Sequence, residues 1–239
     1  MPVSTPCALA ESFRWESEMT PVVEACVERF SPSAEGHDAV LAEIPAAVGV
    51  VDLLVVKFDQ DAIASRAARG IGPICSTRKI QVLDAVGSKR WRLVDTIAHA
   101  LGSTSVALTR STLDPLTGMG LIEMDEGRIR STGLWLPAAT HVTAIELKRD
   151  KWRSALRQAD NFALSSDRTW VVLDQAKAGR AQRHLDRFRS VGIGLAAVDP
   201  RGGVTVISRP SGSRRPAVRW LRSLMAERAW AAHGAPASI

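Results

Sequence analysis

The sequence predicts an α/β protein in which an insertion interrupts the core. Three observations predict it. Apolar runs at 48–58, 140–148, 169–174 and 192–198 have the length and the β-branched content of buried strands. Segments with apolar residues at helical spacing alternate with those runs, as a layered sheet-and-helix core requires. Between the first two runs lies a block of different style, short helices followed by a glycine-tipped hairpin over 76–133.

Taken in order, Ser17 to Phe30 repeats Met19, Val22, Val23, Cys26, Val27 and Phe30 at helical spacing, with Ser17 as N-cap and Pro21 in the first turn. Ser31-Pro32-Ser33 is a loop, Val40 to Pro45 a short strand and Val48 to Phe58 a strong one. Asp59 to Cys75, with Gly70, Gly72 and Pro73, reads as a linker carrying a short helix over Ala62 to Arg69. Helices follow over Arg78 to Val86, Leu93 to Leu101 and Val106 to Leu116, the last with Pro115 near its end. Leu121 to Met124 and Arg128 to Arg130 flank a turn at Asp125-Glu126-Gly127. The first style then resumes. Thr140 to Lys148 is a strand, Asp150 to Leu164 a helix, Thr169 to Asp174 a buried strand and Ala178 to Ser190 a helix. Gly192 to Val198 and Gly203 to Ile207 are strands joined by Asp199-Pro200-Arg201-Gly202. A loop over Arg209 to Pro216, containing Arg214 and Arg215, leads to a last helix over Val218 to Ala232.

Composition narrows the function. Hydrophobic residues make up 46% of 239, enough for a substantial core and too many for global disorder. No apolar run approaches the ~20 residues that span a bilayer, and Met1 to Trp15 lacks a basic-then-apolar leader pattern. The expectation is a cytoplasmic protein with no membrane partner. Cys7, Cys26 and Cys75 are odd in number and lack metal-ligand spacing, which argues against a disulfide framework or a zinc site. Charge is uneven. Residues 1–75 carry 5 Lys/Arg against 11 Asp/Glu, residues 76–132 carry 8 against 6, and residues 133–239 carry 18 against 8. A basic C-terminal half suits a polyanionic partner.

The chemistry concentrates in three charges inside apolar strands. Asp52 follows Val48-Gly49-Val50-Val51, and Glu146 and Lys148 interrupt Val142-Thr143-Ala144-Ile145-Glu146-Leu147-Lys148. A buried charge without a partner costs several kcal/mol, so such residues pair or hold a metal. Alternation along a strand puts Glu146 and Lys148 on one face. Two carboxylates and a lysine on one face can bind a divalent cation and activate water.

These residues, with a helix before the first strand and another after the second, resemble the PD-(D/E)XK nuclease superfamily over residues 11–58 and 138–210. Gly49-Val50-Val51-Asp52 stands where the name motif has Pro-Asp. The resemblance implies a restriction-endonuclease-like mixed central sheet flanked by helices, built from 1–75 and 134–239. It implies a metal-dependent DNA endonuclease that hydrolyses phosphodiester bonds. Asp52 and Glu146 would hold Mg²⁺, with Mn²⁺ as the alternative ion, and Lys148 would position water and offset developing charge. The superfamily's helix glutamate falls on Glu18, with Glu24 as runner-up, and its helix glutamine on Gln158. Glu43 is a further carboxylate within reach.

The block 76–133 is similar to a winged helix–turn–helix domain, whose third helix enters the major groove while the wing touches backbone or minor groove. Ser103, Thr104, Ser105, Thr109, Arg110 and Thr112 would form the reading side, and Arg128 and Arg130 the grip of the wing. Lys89, Arg90 and Arg92 would approach phosphate. Two other classes fit the same residues. One is a DNA-binding regulatory protein on a nuclease scaffold that no longer cuts. The other is an interaction protein whose helical block pairs two copies into a homodimer. Metal dependence and DNA affinity separate the three.

Overall fold

Six strands form one mixed sheet in the computed structural model, which describes residues 11–30, 36–87, 89–211 and 218–234. The loop Ser31-Pro32-Ser33 and the pair Arg214-Arg215 lie outside the described residues. Along the chain the elements are α1 (Met19–Glu24), β1 (Ala39–Pro45), β2 (Val50–Phe58), α2 (Gln60–Ala67), α3 (Thr77–Ala85), β3 (Arg92–Leu93), α4 (Val94–Ala100), α5 (Ser105–Leu108), α6 (Asp114–Gly118), β4 (Ile122–Asp125), β5 (Arg128–Ser131), β6 (Ala139–Lys148), α7 (Trp152–Phe162), β7 (Arg168–Asp174), α8 (Gly179–Gln182), α9 (Leu185–Val191), β8 (Gly194–Val198), β9 (Val204–Ser208) and α10 (Arg219–Ala232).

The sheet order is β1-β2-β6-β7-β8-β9. β1, β2 and β6 pair antiparallel, β6, β7 and β8 parallel, and β9 antiparallel to β8. The parallel strands are covered on both faces, which is why they read as near-continuous apolar runs. On one face Met19, Val23, Val27 and Phe30 pack on Leu53, Val55, Ile145, Leu147 and Trp170. Phe30 meets Trp170 edge-on at 5.4 Å between ring centroids, and Trp170 Nε1 donates to the Phe30 carbonyl at 3.2 Å. On the other face, Phe162 of α7 and Met225, Ala226, Ala229 and Trp230 of α10 cover Leu54, Val56, Val142 and Ala144. Farther along that face, Trp152, Ala155, Ala159 and Phe188 cover Val171, Leu173, Leu195 and Ala197.

Helices α3 to α6 and a three-stranded sheet ordered β3-β5-β4 make a smaller unit with its own apolar centre of Ile80, Leu83, Ile97, Leu108, Leu113, Leu116, Ile122 and Ile129. Leu224 of α10 completes that centre, so one helix serves both sheets. A buried ion pair fixes the junction. Arg66 of α2 and Glu227 of α10 have side chains 0% exposed. Arg66 Nη2 donates to Glu227 Oε2 at 2.9 Å and to the Gly72 carbonyl at 2.8 Å, and Nη1 donates to the Leu136 carbonyl at 3.3 Å. Glu227 also accepts the Ile74 N–H at 2.7 Å, and the guanidinium stacks over Trp230 at 4.6 Å. Both connections between the units therefore converge on one pair of charges.

The structure departs from the expected elements in four places. The helix expected from Ser17 to Phe30 is a 3₁₀ turn at Glu16–Glu18, then α1, then a 3₁₀ turn at Val27–Arg29. Cys26 leaves the helical region at φ −125° and ψ 25°, while Met19, Val23, Val27 and Phe30 still reach the core. Val48 precedes β2, in a turn where Gly49 takes φ +82°. The helix over Val106 to Leu116 widens to a π turn at Thr109–Leu113, where the Asp114 N–H reaches back to the Thr109 carbonyl. Pro115 has no N–H to give and crowds the preceding turn, so the helix accommodates it by that widening. The helix over Ala178 to Ser190 breaks into α8 and α9 at His184, which sits at φ −120°.

Removing one partner of the buried pair leaves the other charge unpaired. Arg66→Ala should lower unfolding free energy by about 3–5 kcal/mol in urea denaturation, and the double variant Arg66→Met with Glu227→Leu should recover most of that loss.

Candidate functional site at the end of the central strands

The ladder between β2 and β6 pairs Leu53 with Ile145, so the next residues toward the sheet end, Asp52 and Glu146, are cross-strand neighbours. Lys148 follows on the same face as Glu146. Asp52 Oδ2 accepts the Leu147 N–H at 2.7 Å, satisfying an amide just beyond the last paired residue. The Lys148 ammonium lies 2.9 Å from Glu146 Oε1 and 3.9 Å from Asp52 Oδ2, and donates to the Leu147 carbonyl at 2.9 Å. Three charges separated by nearly a hundred residues thus meet at one sheet end.

A fourth group joins them. Lys148 donates to Glu16 Oε1 at 2.8 Å, and Glu16 Oε2 faces the Arg149 N–H at 3.4 Å. Glu18 does not reach the cluster. Its Oε2 accepts the N–H groups of Arg14 at 2.8 Å and Trp15 at 3.1 Å, an N-terminal cap on its own 3₁₀ turn. The glutamate that meets Lys148 is therefore Glu16 and not Glu18, because the chain enters through a tight turn rather than a regular helix. Asp174 at the end of β7 anchors that entry. Its buried carboxylate accepts the Phe13 N–H at 3.1 Å and the Ser12 hydroxyl. Asp174 carried a readable signal, an aspartate ending a buried strand as Asp52 begins one. Glu16 carried none that separated it from Glu18.

Glu16, Asp52 and Glu43 face a cleft of about 260 Å³, which Ser17, Thr20, Ala42 and Leu147 complete. Glu43 sits across from Asp52 in β1, between the paired residues Ala42 and Ile44, and takes the left-handed φ of +54°. Such a backbone is uncommon for a residue with a side chain and is held by its surroundings. Gln158 is half-buried on α7, and no hydrogen bond joins it to the cluster among the described residues.

The electrostatics single out Glu146. Its side chain is 1% exposed, and neither carboxylate oxygen makes a hydrogen bond among the described residues. The Lys148 contact is close but lacks hydrogen-bond alignment. Burial pushes the Glu146 carboxyl up to about 7; the neighbouring ammonium opposes the rise and the Asp52 charge adds to it. Asp52 is raised by burial, with the Leu147 N–H and Lys148 pulling the other way. For Lys148, burial lowers the ammonium's value, but the Glu16 hydrogen bond and the close charges of Glu146 and Asp52 outweigh burial and hold it above the ordinary lysine range.

No group of three or more His, Cys, Asp or Glu side chains among the described residues is placed to hold a metal ion. Asp52 and Glu146 are instead a two-carboxylate set of hard oxygens, one without hydrogen bonds. That donor chemistry fits Mg²⁺ or Mn²⁺, ions that use one or two carboxylates and keep several waters.

On the smaller unit, Arg110 and Arg128 are exposed and Thr109 is half-buried. Ser105 donates its hydroxyl to the Asp95 carboxylate. Thr112 is 1% exposed, so it belongs to the interior rather than to a reading face; it lies four residues from both Leu108 and Leu116, which are buried. Arg130 is held by Glu123 at 2.6 Å and lies over Trp91 at 4.6 Å, which spends its charge within the unit. No helix among the described residues is long and apolar enough to cross a membrane. Comparison with protein-family models, with curated proteins and with solved structures finds no match to this chain.

Because the folded-state value of Glu146 lies above its ordinary 4.5, its contribution to stability is full below pH 4.5 and is lost as pH rises through about 7. Glu146→Gln should therefore melt above wild type in EDTA at pH well above 7, with the gap closing below pH 4.5. Adding Mg²⁺ at the higher pH should raise the wild-type melting temperature and leave the variant unmoved, as thermal denaturation would show.

Proposed function

We propose that the chain is a metal-dependent DNA endonuclease hydrolysing phosphodiester bonds, built on a restriction-endonuclease-like core with an inserted winged helix–turn–helix unit. One observation carries the reading: Asp52, Glu146 and Lys148 gather at one sheet end, with the Glu146 oxygens buried and without hydrogen bonds. The order α1, β1, β2, β6, α7, with the aspartate on β2 and the Glu-x-Lys pair on β6, supports the core assignment. Helices α3, α4 and α5–α6 followed by a hairpin turning at Gly127 support the winged-helix assignment, as does pairing of β3 with the outgoing strand β5. Arg110 and Arg128 remain available to DNA phosphates.

In this reading Asp52 and Glu146 hold Mg²⁺ or Mn²⁺. When bound, the ion supplies Lewis-acid neutralisation of the scissile phosphate. Lys148 stays protonated, because its neighbours hold it above the ordinary range, so it acts as donor and positive charge rather than as a base. Its Nζ orients water or a phosphate oxygen and stabilises charge that grows in the transition state. Glu16 positions Lys148 through the 2.8 Å contact. Asp52, fixed by the Leu147 N–H, keeps its direction without rearrangement.

A catalytically inactive DNA-binding regulatory or interaction protein on the same scaffold is the alternative, favoured by the fact that Lys148 is already held by Glu16. The two separate on supercoiled plasmid. The nuclease nicks or linearises it with Mg²⁺ or Mn²⁺, stops in EDTA, and slows by about 10²-fold or more on Lys148→Ala. Cleavage that survives EDTA, or a Lys148→Ala variant as fast as wild type, overturns the reading. Salt-sensitive DNA binding without any cut establishes the alternative.

A further inference from the structure

A second cleft, of about 460 Å³, opens beside the cluster and is lined by Asp150, Ala176, Lys177, Gly179, Arg180 and Arg183. Its place follows from topology. β6 and β7 run parallel with Lys148 opposite Leu173, so both end at the same edge of the sheet. Asp150 lies two residues beyond Lys148, and the other lining residues follow the end of β7. Ligands of open α/β sheets collect in crevices beyond the carboxyl ends of the parallel strands.

The walls are charged, and the helices that carry them are packed together. Lys177, Arg180 and Arg183 are exposed, and none enters an ion pair among the described residues. They face one carboxylate, Asp150. Trp152 of α7 stacks on His184 at 4.9 Å and meets Phe188 of α9 at 6.0 Å, which locks the two sides together. Helix α7 begins two residues past Asp150 with no side-chain cap, so its first amides add positive potential at the same end. Three unpaired cations in a preformed groove that adjoins a cluster of carboxylates suit an extended polyanion better than a compact one. Its neighbouring phosphates can leave the acidic site and meet the cations.

We infer that this groove binds the phosphodiester backbone of a nucleic acid strand flanking the phosphate seated at Lys148. The inference rests on the proposed DNA-directed function, but its test does not depend on cleavage. Lys177→Gln, Arg180→Gln and Arg183→Gln are combined in the full chain, and binding to a fluorescent DNA duplex is followed by anisotropy in EDTA across a salt series. All three side chains are exposed, so the melting temperature should not move.

Each lost phosphate contact removes about one unit from the slope of log affinity against log salt, so the slope should flatten by about 2–3 with affinity falling at every salt. An unchanged slope with wild-type affinity overturns the inference. So does inorganic phosphate bound by wild type and lost in the variant while the DNA slope stays the same, because the groove would then hold a small anion. If wild type binds DNA with the steeper slope yet never cuts with Mg²⁺ or Mn²⁺, the groove stands and the nuclease reading fails. If wild type cuts and the slope is unmoved, the reverse holds.

Discussion

The desolvation of one carboxylate organises the site. Glu146 lies in the central strand of the sheet, with protein on every side and a side chain 1% exposed. A carboxylate in that position loses its water and keeps only the ammonium 2.9 Å away, so burial pushes its value up to about 7 against the pull of Lys148. The surrounding geometry reads as compensation. Lys148 comes two residues later on the same face, Asp52 stands across the ladder, and the chain entry brings Glu16 to the far side of the ammonium. Even so the balance is incomplete, since three carboxylates surround a single ammonium. A further cation would close it, and none of the described side chains supplies one.

The second buried ionic group shows what a purely structural solution looks like in the same chain. Arg66 and Glu227 are at least as deeply buried as Glu146, yet the Glu227 carboxylate accepts from both guanidinium nitrogens and from the Ile74 N–H. Arg66 in turn donates to two backbone carbonyls. Nearly all the bonding capacity of that pair is used within the protein, as a buried ion pair needs if it is to hold two units in register. Glu146 has the burial without the bonds. The contrast argues that the fold can satisfy a buried carboxylate when structure is all that is asked of it.

Much of this was legible in the chain. Apolar length and β-branching placed β2, β6, β7 and β8 because buried parallel strands leave little room for other residues. The charges that broke the β2 and β6 runs identified Asp52, Glu146 and Lys148, since a strand interior tolerates charge only for a reason. Boundaries and helix continuity were less legible. Cys26 and His184 leave helical geometry for reasons of tertiary packing that spacing does not encode. The π turn follows from Pro115, a residue visible in the sequence, and the burial of Thr112 follows from its spacing of four from Leu108 and Leu116. The two-residue strand β3 is too short for any periodicity to show. Glu16 and Glu18 are both glutamates of one turn, and only the path of the chain past Asp174 decides which one meets Lys148.

Charge asymmetry along the sequence acquires a physical meaning once the chain is folded. Glu16, Glu43 and Asp52 all come from the acidic first third, and they cluster at the cleft beside Lys148. Left alone, that cluster would repel any phosphate that approached it. The basic last third counters it in two ways. It provides Lys148 itself, and it places Lys177, Arg180 and Arg183 beyond the adjoining ends of the parallel strands. In the proposed reading, attraction at a distance and coordination at close range fall to different residues, so that the acidic site stays acidic without excluding an anionic ligand.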